Sequence, residues 1–307
     1  MRFKEPLKNL KKYMNSPAGF ILKNSTLLCV FFLFFSPFAY SSGTNDMVEL
    51  FDMGAINWSK GIVEARGTSE PFSKISSPEK IENKSIKLAK QDALNNLFET
   101  VKEVRIDSGL KVGQLIMKNG LLHSKVEEMI GAAQLVQQKY LSDGTVEIVV
   151  QASLHGGFTQ LFLPSGIRQI EPIKQIVSKS FFSAKKSSEA AFTGLVVDTR
   201  GIHLAPAMVI SIIDETGKKV YGLAFASREF AVQHGMCGYT NAFDYALKAP
   251  RVAHNPLIVK GLNVENRKYS DIVISNADAA KIRKMSDNLT FLKKCRVILL
   301  VDGFDVE

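Results

Sequence analysis

The chain has 307 residues, of which 46% are hydrophobic and 22% charged, enough apolar material for a sizeable core in one or two domains. Lys and Arg number 39 against 30 Asp and Glu, but six of the basic residues and one acidic residue fall in the first 41 positions. The remaining 33 against 29 is an ordinary balance, and its basic pairs are scattered without interleaved aromatics, which argues against a nucleic-acid surface.

Residues 1–41 read as a signal peptide. Arg2, Lys4, Lys8, Lys11, Lys12 and Lys23 form a basic stretch, Leu27 to Phe35 is apolar, and Ser36-Pro37 breaks the run. Ala39-Tyr40-Ser41 then offers small residues where a secretory peptidase cuts. The run falls short of the ~20 apolar residues that span a bilayer. The long basic region also fits a retained signal anchor. Leu28 precedes Cys29 where a lipoprotein signal needs a small residue, so lipid attachment is not expected.

Residues 42–164 form the first expected domain. Asn57 to Gly67 reads as a strand, and Ser69 to Asn83, rich in Ser, Pro and Lys, as a loop. Ile86, Ala89, Ala93, Leu97, Val101 and Val104 recur at helical spacing, with Leu94 and Phe98 widening the stripe. A second helical stretch, Val112 to Ala132, should divide at Asn119-Gly120, since glycine costs about 1 kcal/mol inside a helix. Asp143-Gly144 signals a hairpin. Its second strand alternates, with Val146, Ile148, Val150, Ala152 and Leu154 on one face, and Phe158 to Leu163 is expected to continue it. Strand, helix pair and strands in that order predict an α+β fold in which helices cover an antiparallel sheet.

Ile56-Asn57-Trp58, Ala65-Arg66-Gly67, a helix bearing Ala89, Asp92-Ala93-Leu94 and Leu97, and the long hairpin together resemble a known exported domain. It is shared by the amino-terminal domain of flagellar assembly protein T and a family of small outer-membrane lipoproteins. The resemblance covers about residues 54–163 and implies a periplasmic, non-catalytic part, in the flagellar case a component of a ring around the motor. This chain lacks the lipid-bearing cysteine of the lipoprotein members.

Residues 165–191 read as a linker with a helix, in which Ile167, Ile170, Ile173, Ile176 and Val177 recur at helical spacing. Residues 192–307 form a second α+β lobe. Strands are expected at Phe192 to Asp198, Ala207 to Ile213, Val220 to Phe225, Leu257 to Val264, Asp271 to Ser275 and Val297 to Val301. A short helix is expected from Asn241 to Leu247. A second is capped by Ser275 with Asp278, its seam running through Ile282, Met285, Leu289 and Leu292. The continuous apolar run Val297 to Val301 predicts a strand buried on both faces.

Little in the chain points to catalysis. Phosphate-loop, nucleophile-elbow and His-Glu-x-x-His strings are missing, and no two of the five histidines lie within four residues of each other. His234 and Cys237, with Asp244 beyond, are the closest approach to a metal or nucleophile set, but Gly235 and Gly238 make that segment irregular. Asp198, Arg200 and Asp302 sit at strand ends, where carboxylates more often cap turns. No catalytic, metal or cofactor site is therefore expected. Cys237 and Cys295 fit either a disulfide, which would contribute roughly 4 kcal/mol, or two separate buried thiols. Tyr221, Phe225, Phe230, Tyr239, Phe243 and Tyr245 concentrate aromatics as a recognition surface, or equally as the core of a loop-rich lobe. The expectation is a non-catalytic protein of the periplasm or outer-membrane periphery. Its partners would be other envelope or flagellar-motor proteins or a second copy, with a small-molecule or glycan-binding module as the alternative and a hydrolase a more distant one.

Overall fold

The computed structural model describes residues 46–71, 78–164, 166–167, 192–265, 268–284 and 286–303. The leader and nearly all of the linker helix lie outside them. Residues 42–307 form one compact unit with two sheets, an α+β fold in two lobes.

The first lobe is a five-stranded antiparallel sheet in the order β1-β2-β3-β5-β4. The strands are β1 (Val48–Leu50), β2 (Gly54–Asn57), β3 (Ile62–Thr68), β4 (Gln134–Tyr140) and β5 (Val146–Ser153). The expected strand over residues 57–67 is in fact a tight hairpin. The Asn57 side chain accepts from the Lys60 N–H at 2.9 Å, and Gly61 takes a φ of +64°, so the chain reverses between β2 and β3.

Helix α1 (Pro78–Lys102) lies across this sheet, with Ala89, Ala93, Leu97 and Val101 buried. Its approach is set by Gly67, where an added Cβ would lie 2.0 Å from the Ala93 nitrogen and 2.5 Å from the Ala89 carbonyl oxygen. Glycine on the strand and alanine on the helix leave the two backbones separated by almost no side chain. The second helical stretch divides where expected, into α2 (Val112–Ile116) and α3 (Gly120–Gly131), with the Asn119 side chain accepting from the Leu122 N–H. The hairpin at Asp143-Gly144 forms, Gly144 adopting a φ of +87°.

One expected continuation does not occur. After β5 the chain turns at Gly156, φ +69°, into a short helix α4 (Gly157–Phe162) rather than more strand. The Thr159 hydroxyl donates back to the Leu154 carbonyl and fixes that turn, so Phe158 and Phe162 reach the core from a helix.

The second lobe is a seven-stranded mixed sheet, β8-β7-β11-β10-β6-β12-β9. Its strands are β6 (Gly194–Asp198), β7 (Ser211–Asp214), β8 (Lys219–Tyr221), β9 (Gly238–Thr240), β10 (Pro256–Glu265), β11 (Lys268–Ile274) and β12 (Val297–Leu300). From β9 through β12 and β6 to β10 the pairing is parallel, which puts the chain's two most continuous apolar strands at the centre. All four residues of β12 are buried. Helix α6 (Phe243–Lys248) and the segment after it cover one face, Ala246, Ala249 and Val252 packing on Val196, Ile298 and Leu300. On the other face lie Ala279 and Ile282 of α7 (Asn276–Lys284) and Phe291 and Leu292 of α8 (Ser286–Lys293). Helix α5 (Arg228–His234) joins β8 to β9. The cap at Ser275 forms as expected, its Oγ accepting from the Asp278 N–H at 3.0 Å. The single helix expected beyond it is two, α7 and α8. Strand β7 begins at Ser211 rather than Ala207, because the preceding residues pair elsewhere, as described below.

A Gly67→Ala substitution puts a methyl group into the α1 backbone, which has no flexible side chain to give way. It should destabilise the fold by about 1–3 kcal/mol, read as a lower urea midpoint with an unchanged slope.

Candidate functional site

Two features stand out for function: the junction between the lobes, and an open edge with a cleft beside it on the first lobe.

The junction is built on a polar network inside an apolar seam. Arg105, just past α1, donates from Nη1 to Glu49 at 2.9 Å and pairs again through Nη2, while its Nε donates to the Pro206 carbonyl at 2.7 Å. Trp58 donates from its indole to the same Glu49 carboxylate at 3.0 Å, and the guanidinium lies 5.5 Å from the Trp58 ring centre. Across the junction Tyr239 meets Trp58 edge-on, ring centres 6.1 Å apart. The Tyr239 hydroxyl donates to the Ala207 carbonyl at 2.7 Å and accepts from the Ala207 N–H at 3.0 Å. Ser59 Oγ donates to the Tyr239 carbonyl at 2.7 Å. Residues 206–209 run along the first lobe, with Met208 and Val209 N–H groups donating to the carbonyls of Arg105 and Ile106. That is why this stretch, apolar and strand-like in sequence, is not part of the second sheet.

His155 sits in the same seam, its half-buried imidazole packed against Gly61 of the first lobe and Gly235 at the end of α5; an added Cβ at either glycine would approach the ring within 3.4 Å. Burial, then the nearby Arg251 and His234, lower its pKa from 6.5 and keep it neutral. Arg251 was not marked by the sequence, yet it organises this corner. Its guanidinium donates to the carbonyls of Cys295 at 2.7 Å, Gly235 at 3.3 Å and His234, and so closes the C-terminus of α5. A basic residue following a proline in a turn carries no distinctive sequence signal for such a role.

The residues that drew attention as chemistry are separated. His234 is exposed at the end of α5, whereas Cys237 is buried beyond Gly235, whose φ of +75° turns the chain away. Burial pushes the Cys237 thiol up to about 12 and raises that of Cys295, so both stay protonated. The two cysteines are free and buried rather than bridged. Asp198 is engaged by Arg200 through two bonds of 2.9 and 3.0 Å, with Lys260 at 3.4 Å, and its pKa falls to about 2, chiefly through the Arg200 hydrogen bonds. Asp302 accepts from the Gly201 N–H at 2.7 Å, a turn-capping role, and Asp244 is exposed on α6. Among the described residues no group of three or more His, Cys, Asp or Glu has metal-binding geometry.

The six aromatics do not form one exposed surface. Tyr221 and Tyr239 are buried, with the Tyr221 hydroxyl donating to the Met236 carbonyl at 2.7 Å. Phe225 and Phe230 are half-buried against the core, and only Phe243 and Tyr245, on α6, are exposed. Tyr221 and Tyr239 thus follow the core reading of this cluster.

On the first lobe, β4 is the outermost strand of the sheet and, among the described residues, pairs with β5 alone. Every one of its seven residues is exposed. Leu135 and Val136 are 46% and 49% exposed, although both are large apolar side chains. The pairing with β5 slips by one residue between Leu135 and Gln137, and Lys139 is drawn back to Glu147 at 3.8 Å. At the start of β4 a cleft of about 280 Å³ opens between α3, α4 and the end of β5. Sequence reasoning missed both features. An edge strand is defined by the neighbour it lacks, and a cleft by elements distant in the chain.

Among the described residues no helix is long and apolar enough to cross a membrane. Residues 194–303 match the family model for the second domain of Treponema pallidum Tp0624. The match begins at the first residue of β6 and ends just past β12, so it spans the seven-stranded lobe as a recognised domain. No curated protein sequence matches the chain.

Arg105→Met should cost about 1.5–3 kcal/mol, because it leaves the Glu49 carboxylate and the Pro206 carbonyl short of a donor. Denaturation followed by Trp58 fluorescence checks this; a loss below about 0.5 kcal/mol would mean apolar contacts alone hold the lobes together.

A pH dependence follows from His155. Its pKa in the fold is lowered from 6.5, so below that pH the unfolded chain binds a proton that the folded chain resists. The stability from neutral His155 is intact above the unfolded value and is lost as pH falls through the folded one. His155→Gln should flatten the fall in stability as pH drops below the ordinary histidine value, relative to the parent, measured by thermal unfolding.

Proposed function

We propose that this chain is an exported, non-catalytic envelope protein that acts by docking, and that an extended segment of a partner pairs with β4 as a sixth strand of the first sheet. The observation that carries the reading is the edge itself: seven exposed residues at the outer end of the sheet, with Leu135 and Val136 presented to solvent. An open strand edge offers main-chain donors and acceptors in register, and alternate side chains then select the partner. The bulge beside Leu135 and the nearby lysine are devices that restrain indiscriminate edge-to-edge pairing.

Export is supported by the basic-then-apolar leader with its small residues at 39–41. The partner class is supported by the likeness of residues 54–163, the stretch that includes β4, to the amino-terminal domain of flagellar assembly protein T. Other envelope proteins, flagellar-motor components first among them, are therefore the partners of choice. A docking role agrees with the placement of the reactive groups, since both thiols are buried and protonated and Asp198 is neutralised by Arg200.

The test is site-specific photo-crosslinking in living cells with the probe at Val136, and at Lys90 on α1 as control. The expected result is a discrete adduct with an identified envelope protein from position 136 only. Leu135→Lys beside the probe should abolish it while changing stability by no more than about 0.5 kcal/mol, as that side chain is exposed. A dimer of this chain as the sole adduct would replace the heterologous partner with a second copy. No adduct at position 136, or recovery of the protein with its leader intact in the cytoplasm, would refute the proposal.

A further inference from the structure

We infer that the cleft at the start of β4 is a binding site for a small uncharged molecule with an apolar body and one amide-like or hydroxyl end. At about 280 Å³ it lies at the lower limit of ligand pockets, typically about 300–1,000 Å³. Its walls belong to rigid elements. Val126, Met129 and Ile130 of α3 form one side and Phe158 of α4 the other, each buried or packed against the core.

Small residues keep it open. Ala132 and Ala133 connect α3 to β4, and Ala152 lies opposite on β5, so three alanines line a space that larger side chains would fill. The polar lining comes from Gln134, Gln151, Ser153 and His155. Gln151 donates to Gln134 at 3.1 Å across the β4–β5 pair, which leaves the Gln151 carbonyl oxygen and the Gln134 amide able to accept from and donate to a guest. Ser153 and the imidazole of His155 add further hydrogen-bonding groups to the lining.

Among the described residues no Asp, Glu, Lys or Arg lines the cleft, so a charged guest would lose its hydration without a counter-charge. The ligand class is therefore a neutral aromatic or short aliphatic amide or alcohol. This site does not depend on the pairing of a partner with β4, and either can fail without the other.

The test is the NMR signal of the Met129 ε-methyl group in the purified protein, titrated with N-phenylacetamide and n-hexanol, and with phenylacetate and phenethylammonium as charged controls. The neutral probes should produce a saturable shift, and the charged ones should bind at least about tenfold more weakly. Ala133→Leu should remove the shift by filling the space; if that variant does not fold, Ala132→Leu at the exposed mouth serves the same purpose. Gln151→Ala should weaken N-phenylacetamide by about three- to tenfold. No saturable shift with either neutral probe, equal binding of the charged controls, or binding unaffected by a folded leucine variant would each overturn the inference.

Discussion

The arrangement of this molecule depends on one arginine shared between two lobes. Arg105 gives two of its donors to Glu49 in the first lobe and a third to the Pro206 carbonyl in the second. A guanidinium is suited to this because its donors are fixed in a plane and point in several directions at once. Trp58 lies against the same group and uses the same carboxylate, so the apolar seam and the polar network are fixed together. With that corner held, residues 206–209 are drawn along the first lobe and Tyr239 reaches across to them. The two sheets thus share one continuous core.

The first lobe shows how close packing in one place leaves a surface open in another. Because Gly67, Ala89 and Ala93 let α1 settle directly onto β3, the helix covers the middle of the sheet closely. Strand β4 lies beyond the reach of that helix, exposed on both faces and, among the described residues, paired with β5 alone. An edge with apolar side chains in water is a liability for a monomer and a convenience for a binding protein. The cleft arises at the same end, where α3 joins β4 through two alanines.

Burial also governs the chemistry. Burial keeps both cysteines protonated and His155 neutral, while Asp198 is ionised and occupied by Arg200. Around His155 the neighbours that bear on its charge, Arg251 and His234, are basic side chains, so a proton is unwelcome there. A junction of that kind resists protonation until acid conditions, and then weakens.

The sequence by itself determined the elements whose cause is local. Periodicity marked the buried face of α1 from Ala89 to Val101, and Asp143-Gly144 marked the hairpin. Asn119-Gly120 marked the division of α2 from α3, Ser275 the cap of α7, and the apolar run at 297–301 the fully buried β12. These follow from backbone preference and from which side of an element must leave water. It misjudged 158–163 and 207–210, where a positive φ at Gly156 and pairing with the other lobe overrode apolar character that fits strand or helix alike. Whether Tyr239 is a core residue or a surface one, whether His234 meets Cys237, and that β4 lies at an edge were decided only by the tertiary structure. Burial, proximity and the absence of a neighbour are relations between residues far apart in the chain. No local pattern of residue types encodes them.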